Sequence, residues 1–269
     1  SPCEWMADTR PGASRDMNID LSGKIALVTG SSGELGRVIS LALAKCGAGV
    51  GLHYHKNHTR ATALCAEIQK QGGRACVLEG DISRKDSVEA MRHTLERELG
   101  SPDILVNNAV EQYTWKHVME QNVEDYESQF RSCVLQNVLM AQVFAPAMIR
   151  RKYGRIIAIN SECAMQNLPT MSAYVSGKRG MDGVLRVLAR EIGPHGITVN
   201  QVAPGWMISE KDRLAGTERH EPYESGVPLR HRGEDRDIAN AVAFLASDLA
   251  KFISGAYLPV CGGNVMPTI

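Results

Sequence analysis

The sequence predicts a single α/β domain built on a doubly wound parallel sheet of about seven strands, with helices on both faces. Short apolar runs alternate with longer amphipathic runs along most of the chain. Several short runs are apolar at consecutive positions, as expected for strands buried on both faces of a parallel sheet. A length of 269 residues fits one such domain with a large core.

The expected elements alternate in order, and glycines such as Gly47, Gly72 and Gly193 mark helix ends. The predicted strands are Ile25–Thr29, Val50–Tyr54, Ala75–Leu78, Ile104–Asn107, Arg155–Asn160, Thr198–Val202 and Tyr257–Val260. The predicted helices are Leu35–Cys46, Thr59–Gln71, Asp86–Leu99, Asp125–Arg150, Ser172–Ile192 and Asp235–Ala246. The stretch Trp206–Gly233 is polar and lacks a clear period, so we expect a lid or binding loop there.

The composition argues against several classes of function. Lysine and arginine total 30, as do aspartate and glutamate, so nothing suggests bulk attraction to nucleic acid or to a membrane. The seven cysteines include no C-x-x-C pair, which disfavours disulfides and a bound metal and fits a reducing, cytoplasmic setting. Residues 1–20 lack the apolar core of a secretory signal. We expect them to form a flexible extension before one domain over residues 21–269.

The first predicted strand runs into a glycine-rich turn and then a helix. A helix N-terminus attracts anions, and glycines let a phosphate approach the backbone. The turn therefore predicts a Rossmann-type site for the pyrophosphate of a dinucleotide, although it could also be only a tight connection. The residues expected to form this site are Gly30, Ser32, Gly33, Leu35 and Gly36.

The end of the second predicted strand bears on the choice of cofactor. Tyr54, His55 and Lys56 stand where many dinucleotide folds carry an acid that holds the ribose hydroxyls. Two cationic groups suit a 2′-phosphate better than a bare ribose. We therefore expect a preference for NADP(H) over NAD(H). The alternative is a solvated basic strand end without a role.

A tyrosine, a lysine and a serine form the candidate catalytic group. Tyr174 and Lys178 lie one helical turn apart, on the same face. A free tyrosine has a pKa of about 10, and a nearby ammonium group lowers it. Ser161 precedes the tyrosine and suits a site that holds a carbonyl oxygen during proton transfer. The three suit interconversion of a ketone and an alcohol, although each is common by itself.

With these motifs, Leu21 to Gly263 resembles the short-chain dehydrogenase/reductase family, and most closely its 3-oxoacyl-carrier-protein reductase-like members. The resemblance implies that Tyr174 transfers the proton, Lys178 binds the nicotinamide ribose and Ser161 holds the substrate oxygen. It also implies further contacts with the cofactor, from Asp81, Ile82, Asn108, Ala109, Pro204, Gly205, Met207 and Ser209. The expected reaction is hydride transfer between NADP(H) and a carbonyl or secondary alcohol.

The chain departs from the family pattern at four positions. The family has glycine at the positions of Glu34 and Val110, an asparagine at Cys133 and an acid at Cys261. Glu34 predicts a reshaped turn with a weaker hold on the cofactor, and Cys133 predicts a slower proton relay. Asn137, one helical turn later, is not the aligned residue. Glu34, Val110 and Cys133 motivate a competing interpretation, a dinucleotide-binding protein with weak or no turnover.

Candidate substrate contacts follow three of the predicted strands. Glu162 comes directly after the catalytic serine and is either a substrate contact or a solvated side chain. Tyr113, Trp115 and Trp206 offer aromatic surface to a small-molecule carbonyl or alcohol. Family members pair through the two long helices, so the resemblance also implies a homotetramer or homodimer.

Overall fold

Seven strands form one all-parallel sheet in the order β3-β2-β1-β4-β5-β6-β7 in the computed structural model, which describes residues 18–267. The strands are β1 (Ile25–Val28), β2 (Gly49–Tyr54), β3 (Ala75–Glu79), β4 (Ile104–Asn107), β5 (Gly154–Ile159), β6 (Ile197–Pro204) and β7 (Tyr257–Val260). This confirms the predicted doubly wound sheet. The order reverses between β1 and β4, so a crevice opens at their carboxyl ends.

Helices cover both faces of the sheet, and two short ones lie in the predicted lid. The helices are α1 (Glu34–Lys45), α2 (His58–Lys70), α3 (Lys85–Glu98), α4 (Val123–Gln129), α5 (Gln136–Arg151), α6 (Ser172–Ile192), α7 (Glu210–Ala215), α8 (Glu221–Glu224) and α9 (Asp235–Ala246).

Alternation along the strands divides the core into two layers. Val28 of β1 and Val106 of β4 face the layer that contains Ile39 of α1. Leu27, one residue earlier, faces the opposite layer with Phe144 of α5. All five side chains are at most 1% exposed. Because both faces are buried, the strands read as continuous apolar runs rather than alternating ones.

The predicted helix Asp125–Arg150 is one continuous helical segment, Val123–Arg151, but it contains a π-helical turn over Phe130–Leu135. A π turn leaves carbonyl groups without their usual α-helical partners. Here the side-chain amide of Gln136 donates to the Ser132 carbonyl, at 2.6 Å. The amide of Asn137 donates to the Cys133 carbonyl, at 2.7 Å. Two side chains thus complete the interrupted hydrogen-bond ladder.

In the described part of the chain, Val123–Arg151 is also the one helix long and apolar enough to cross a membrane. Of its most apolar stretch, 61% is buried inside the domain. The same length and composition are found in the core helix of a domain such as this one.

The prediction of a lid without regular structure over Trp206–Gly233 is wrong in part, because α7 and α8 lie within it. Arg232, 3% exposed, organises the segment. Its guanidinium donates to four backbone carbonyls and to the Asp212 carboxylate. Side-chain bonds to backbone oxygens replace the periodic pattern that sequence reasoning depends on.

The predicted extension over residues 1–20 falls mostly outside the described residues, which begin at Asn18. Ile19 already packs against the core, and the Leu21 amide donates to the Cys46 carbonyl at 2.8 Å. The ordered domain therefore includes Ile19.

Candidate active site

A cleft of about 890 Å³ lies at the carboxyl ends of the strands, where the sheet order reverses. Most of the residues predicted to bind a cofactor line it. Those residues are Gly30, Ser32, Gly33, Leu35, Gly36, His55, Lys56, Asp81, Ile82, Asn108, Ala109, Tyr174, Lys178, Pro204 and Gly205. The structure thus brings distant motifs of the chain together along one cleft.

Three predicted cofactor residues do not line the cleft. The Tyr54 hydroxyl donates to Glu79, and its ring lies edge-on to His58. Ser209 caps α7, where its hydroxyl accepts from the Asp212 amide at 3.2 Å. The Met207 carbonyl accepts from Arg232, at 2.8 Å. In all three residues, polar groups that the prediction assigned to the cofactor are hydrogen-bonded to other residues of the protein.

Close packing within the glycine-rich turn leaves no room for side chains. Gly30 has φ of +67°, in the left-handed region that favours glycine. A Cβ on Gly36 would overlap the Gly30 carbonyl oxygen and lie 2.8 Å from Nδ2 of Asn108. That amide donates to the Thr29 carbonyl, at 3.0 Å. This packing fixes the turn and the start of α1, and the backbone of both faces the cleft.

His53 fixes the turn from the side of β2, a role that the sequence analysis missed. The Gly30 amide donates to its Nδ1 at 3.0 Å, so Nδ1 carries no proton. Its Nε2 then donates to the Gly80 carbonyl, also at 3.0 Å. Burial lowers the pKa of His53 to about 4, so the ring stays neutral near pH 7.

Ser161, Tyr174 and Lys178 meet at the other end of the cleft. The lysine Nζ lies 5.6 Å from the centre of the Tyr174 ring and donates to the Ile159 carbonyl at 2.6 Å. The amide of Tyr174 donates to the Tyr113 hydroxyl at 2.8 Å, which anchors the start of α6. Trp115 stacks on the tyrosine, with ring centres 6.2 Å apart.

Burial sets the protonation of this group. It raises the pKa of Tyr174, and a hydrogen bond with the Ser161 side chain opposes the rise only in part. Burial also lowers the pKa of Lys178. The lowering of the tyrosine pKa expected from Lys178 therefore does not prevail in the structure. Removal from water disfavours the charged forms of both side chains.

Comparison with known proteins decides the family. A family model described as enoyl-(acyl carrier protein) reductase matches residues 30–264. The chain belongs to the short-chain dehydrogenase/reductase family.

The 3-oxoacyl-acyl-carrier-protein reductase of Staphylococcus epidermidis is 34% identical to this chain over 253 residues, which span 90% of this chain and 99% of the relative. A blue fluorescent protein from a metagenomic library, solved with NADPH, is 33% identical and has a TM-score of 0.83; the match covers 92% of this chain and 100% of that one. A 7α-hydroxysteroid dehydrogenase, solved with NADH and 7-oxo glycochenodeoxycholic acid, is 31% identical with the same TM-score, and the match covers 93% and 97%.

This short-chain dehydrogenase/reductase is thus an NAD(P)-dependent oxidoreductase, and the cleft fits such a cofactor. The places where Cβ atoms would collide, at Gly30 and Gly36, border the cleft beside the N-terminus of α1. Backbone N–H groups at a helix N-terminus suit a pyrophosphate. Asn108, which directly follows β4, supports the turn through the hydrogen bond from its side-chain amide to the Thr29 carbonyl.

Glu34 and Arg60 introduce charges into the cleft that the family motif lacks. Oε1 of Glu34 pairs with the Arg60 guanidinium at 2.8 Å, and both side chains line the cleft. The other oxygen, Oε2, is buried and has no hydrogen-bond partner. Arg60 was not predicted as a site residue, because its only sequence signal is a place in the first turn of α2. It adds a guanidinium to the His55 and Lys56 end.

Cys133 is 1% exposed, and its thiol has only a distant acceptor, the Gln129 side chain at 4.0 Å. The Cys133 carbonyl accepts from the side-chain amide of Asn137. The side-chain oxygen of Asn137 in turn accepts from the Asn107 amide, at 2.8 Å. The thiol is thus a buried packing group on the π turn, next to the helix that carries Lys178. A Cβ at Gly177 would lie 3.2 Å from that of Cys133.

Glu162 is not the solvated side chain of the alternative interpretation, since it is only 3% exposed. Its Oε1 accepts from the Tyr223 hydroxyl at 2.8 Å, and its Oε2 accepts from the Asn264 amide at 2.9 Å. Burial raises the pKa of Glu162. Trp206 packs in the lid against Tyr223 and His220, whereas Trp115 lies at the catalytic end.

Proposed function

We propose that this protein transfers a hydride between NADP(H) and a small-molecule carbonyl or secondary alcohol, with Tyr174 as the proton donor in reduction and the proton acceptor in oxidation. The observation that carries this proposal is the convergence of Ser161, Tyr174 and Lys178 at one end of the cleft. The nicotinamide, when bound, supplies or accepts the hydride.

Ser161, Tyr174 and Lys178 have different roles in the proposed reaction. The Ser161 side chain is near enough to Tyr174 to lower its pKa, and it would hold the substrate oxygen beside the tyrosine. The raised pKa of Tyr174 keeps its proton in place at neutral pH, so the residue begins a reduction in the protonated form. Lys178 uses one donor on the Ile159 carbonyl and keeps two for a ribose hydroxyl and the phenolate that forms.

A preference for NADP(H) is supported by three basic side chains at the opposite end, His55, Lys56 and Arg60. A 2′-phosphate would receive charge-assisted hydrogen bonds from them. Because one similar structure holds NADPH and another NADH, binding has to be measured with both. We expect the dissociation constant for NADPH to be at least tenfold below that for NADH, and comparable values would contradict the preference.

We also propose that the protein assembles into a homodimer or homotetramer in a reducing, cytoplasmic setting. Val123, Phe130 and Val187 expose large apolar side chains on α4, the π turn and α6, at 67%, 52% and 56% of their surface. Such a face suits pairing between copies. Light scattering is expected to give a mass of two or four chains, and a monomer would refute the assembly. The described cysteines are all free, in keeping with a reducing compartment.

The catalytic proposal is tested with Tyr174→Phe and a panel of ketones and alcohols, following the absorbance of NADPH. We expect turnover to fall by at least 10²-fold while NADPH still binds. Tyr153→Phe is the matched control, since it also removes a phenol hydroxyl, one that contacts Asp248 and does not line the cleft. Equal turnover in wild type and Tyr174→Phe would refute the assignment.

The competing candidate is a binding protein with little turnover, and the Glu34–Arg60 pair in the lining of the cleft favours it. It predicts NADPH binding with no consumption of NADPH on any ketone of the panel. Observed turnover that depends on Tyr174 would exclude it.

A further inference from the structure

We propose that Tyr223, on the lid helix α8, is a positioning residue for the nicotinamide end of the cleft. Its hydroxyl joins the turn after β5, which carries Ser161, to the turn after β6, which carries Gly205. This inference rests on the function proposed above, because it concerns how that site is held together.

Two hydrogen bonds make the connection. The Tyr223 hydroxyl donates to Oε1 of Glu162, at 2.8 Å, and accepts from the amide of Trp206, at 2.9 Å. Glu162 directly follows Ser161, and Trp206 directly follows Gly205. Ser161 and Gly205 both line the cleft. One phenol therefore bridges two turns that face the same end of the site.

The Glu162 end of the bridge is buried and fully bonded. Glu162 is 3% exposed, and its second oxygen accepts from the Asn264 amide at 2.9 Å. Both carboxylate oxygens thus have partners within the protein, so Glu162 is a support for the site and not a substrate contact. A Cβ on Gly205 would lie 2.7 Å from the Tyr223 hydroxyl oxygen, so the phenol packs directly behind the backbone that lines the cleft.

Because the Tyr223 hydroxyl bonds to both turns, docking of the lid and alignment of the two turns occur together. Without the hydroxyl, the carboxylate of Glu162 and the amide of Trp206 lose their shared partner, and the ring still packs edge-on against Trp206. The adenosine end depends on other residues, His55, Lys56 and Arg60. Loss of the hydroxyl should therefore weaken the hold on the nicotinamide half of the cofactor alone.

Calorimetry with Tyr223→Phe separates the two halves. The probes are NADPH and adenosine 2′,5′-bisphosphate, which lacks the nicotinamide half. We expect the dissociation constant for NADPH to rise about tenfold, the size of effect that one lost hydrogen bond gives. The constant for the bisphosphate should stay within twofold of wild type, which also shows that the variant is folded. Equal shifts for both probes, or none for NADPH, would overturn the proposal.

Two variants of Glu162 test the bridge from its other side. Glu162→Gln keeps an acceptor for the phenol and should stay within threefold of wild type for NADPH. Glu162→Ala should match Tyr223→Phe, and the double variant should be no weaker than either single one. Full additivity would show that the two residues act separately. Tyr153→Phe, whose hydroxyl contacts Asp248 at 3.3 Å, is the control and should bind both probes like wild type.

The proposed function and this inference fail in different ways. If wild type binds neither probe, the proposed function falls and the inference falls with it. If wild type binds both and reduces a ketone, but Tyr223→Phe has an unchanged NADPH constant and unchanged turnover, only the inference is wrong.

Discussion

Replacing Arg232 with methionine should open the lid while the sheet stays folded. The guanidinium is buried and donates to five acceptors, the Asp212 carboxylate and the four carbonyl groups of residues 206, 207, 217 and 218. Methionine keeps much of the side-chain length but none of these donors. The lid would then contain part-buried backbone oxygens without protein partners, and these recover hydrogen bonds only by reaching water.

The expected magnitude follows from these contacts. A net 0.5–1.5 kcal/mol for each of five hydrogen bonds gives about 2.5–7.5 kcal/mol. The Asp212 carboxylate is 24% exposed, so its charge adds little to this sum. We take about 3–5 kcal/mol as the loss for the closed lid. Since each 1.4 kcal/mol is a factor of ten, the ratio of closed to open lid should fall by about 10²- to 10⁴-fold.

Hydrogen exchange followed by mass spectrometry measures this loss. Two lid amides report it, those of Ile208 and Thr217, which donate to Gly233 and Asp212 at 2.8 and 2.9 Å. Their protection should fall by about 10²-fold or more, while protection of strands β1 and β4 is unchanged. Arg236→Met, an exposed arginine on α9, is the control and should show neither change. Lid protection within threefold of wild type in Arg232→Met would refute the reasoning.

Three further predictions concern the cofactor turn and the relay. Between pH 4 and 6.5 the unfolded chain binds a proton at His53 that the folded chain excludes. The free energy of unfolding, measured in urea, should therefore rise with pH by about 3 kcal/mol across that window. His53→Gln should lose this slope, and an unchanged slope would count against a neutral His53 ring. Gly36→Ala should cost about 1–3 kcal/mol of stability and raise the NADPH dissociation constant at least tenfold. The control is Gly183→Ala, which has open space around its Cβ position and should do neither. Normal NADPH binding by Gly36→Ala would show that the turn can relax. Cys133→Asn should increase turnover severalfold if the thiol limits the proton relay, and unchanged rates in a folded variant would exclude that limit.

Local patterns were sufficient to predict the sheet and the meeting of Ser161, Tyr174 and Lys178 in one cleft. The run at Ile25–Val28 is apolar at every position because both faces of β1 are covered. Tyr174 and Lys178 could be paired because helical spacing fixes their shared face. The glycine-rich turn was predictable because close approach of backbone to backbone leaves only glycine at Gly36.

What the sequence could not predict depends on contacts between distant segments. Glu34 and Arg60 are 26 residues apart, and only the packing of α2 beside the turn brings them together. The raised pKa of Tyr174 comes from burial, which i,i+4 spacing does not reveal. The bonds that order the lid run to the side chain of Arg232, so no periodic pattern announces them.

The π turn within Val123–Arg151 fixes the number of residues in that helix. Deleting one residue would convert it to a regular α turn and rotate everything before it by about 100°. Gln129, whose carbonyl oxygen lies 2.9 Å from the Cβ position of Gly177, would leave α6, and Tyr126 would lose its 2.7 Å contact with Ser172. A change of length in this helix would therefore disturb the packing of every residue before the π turn.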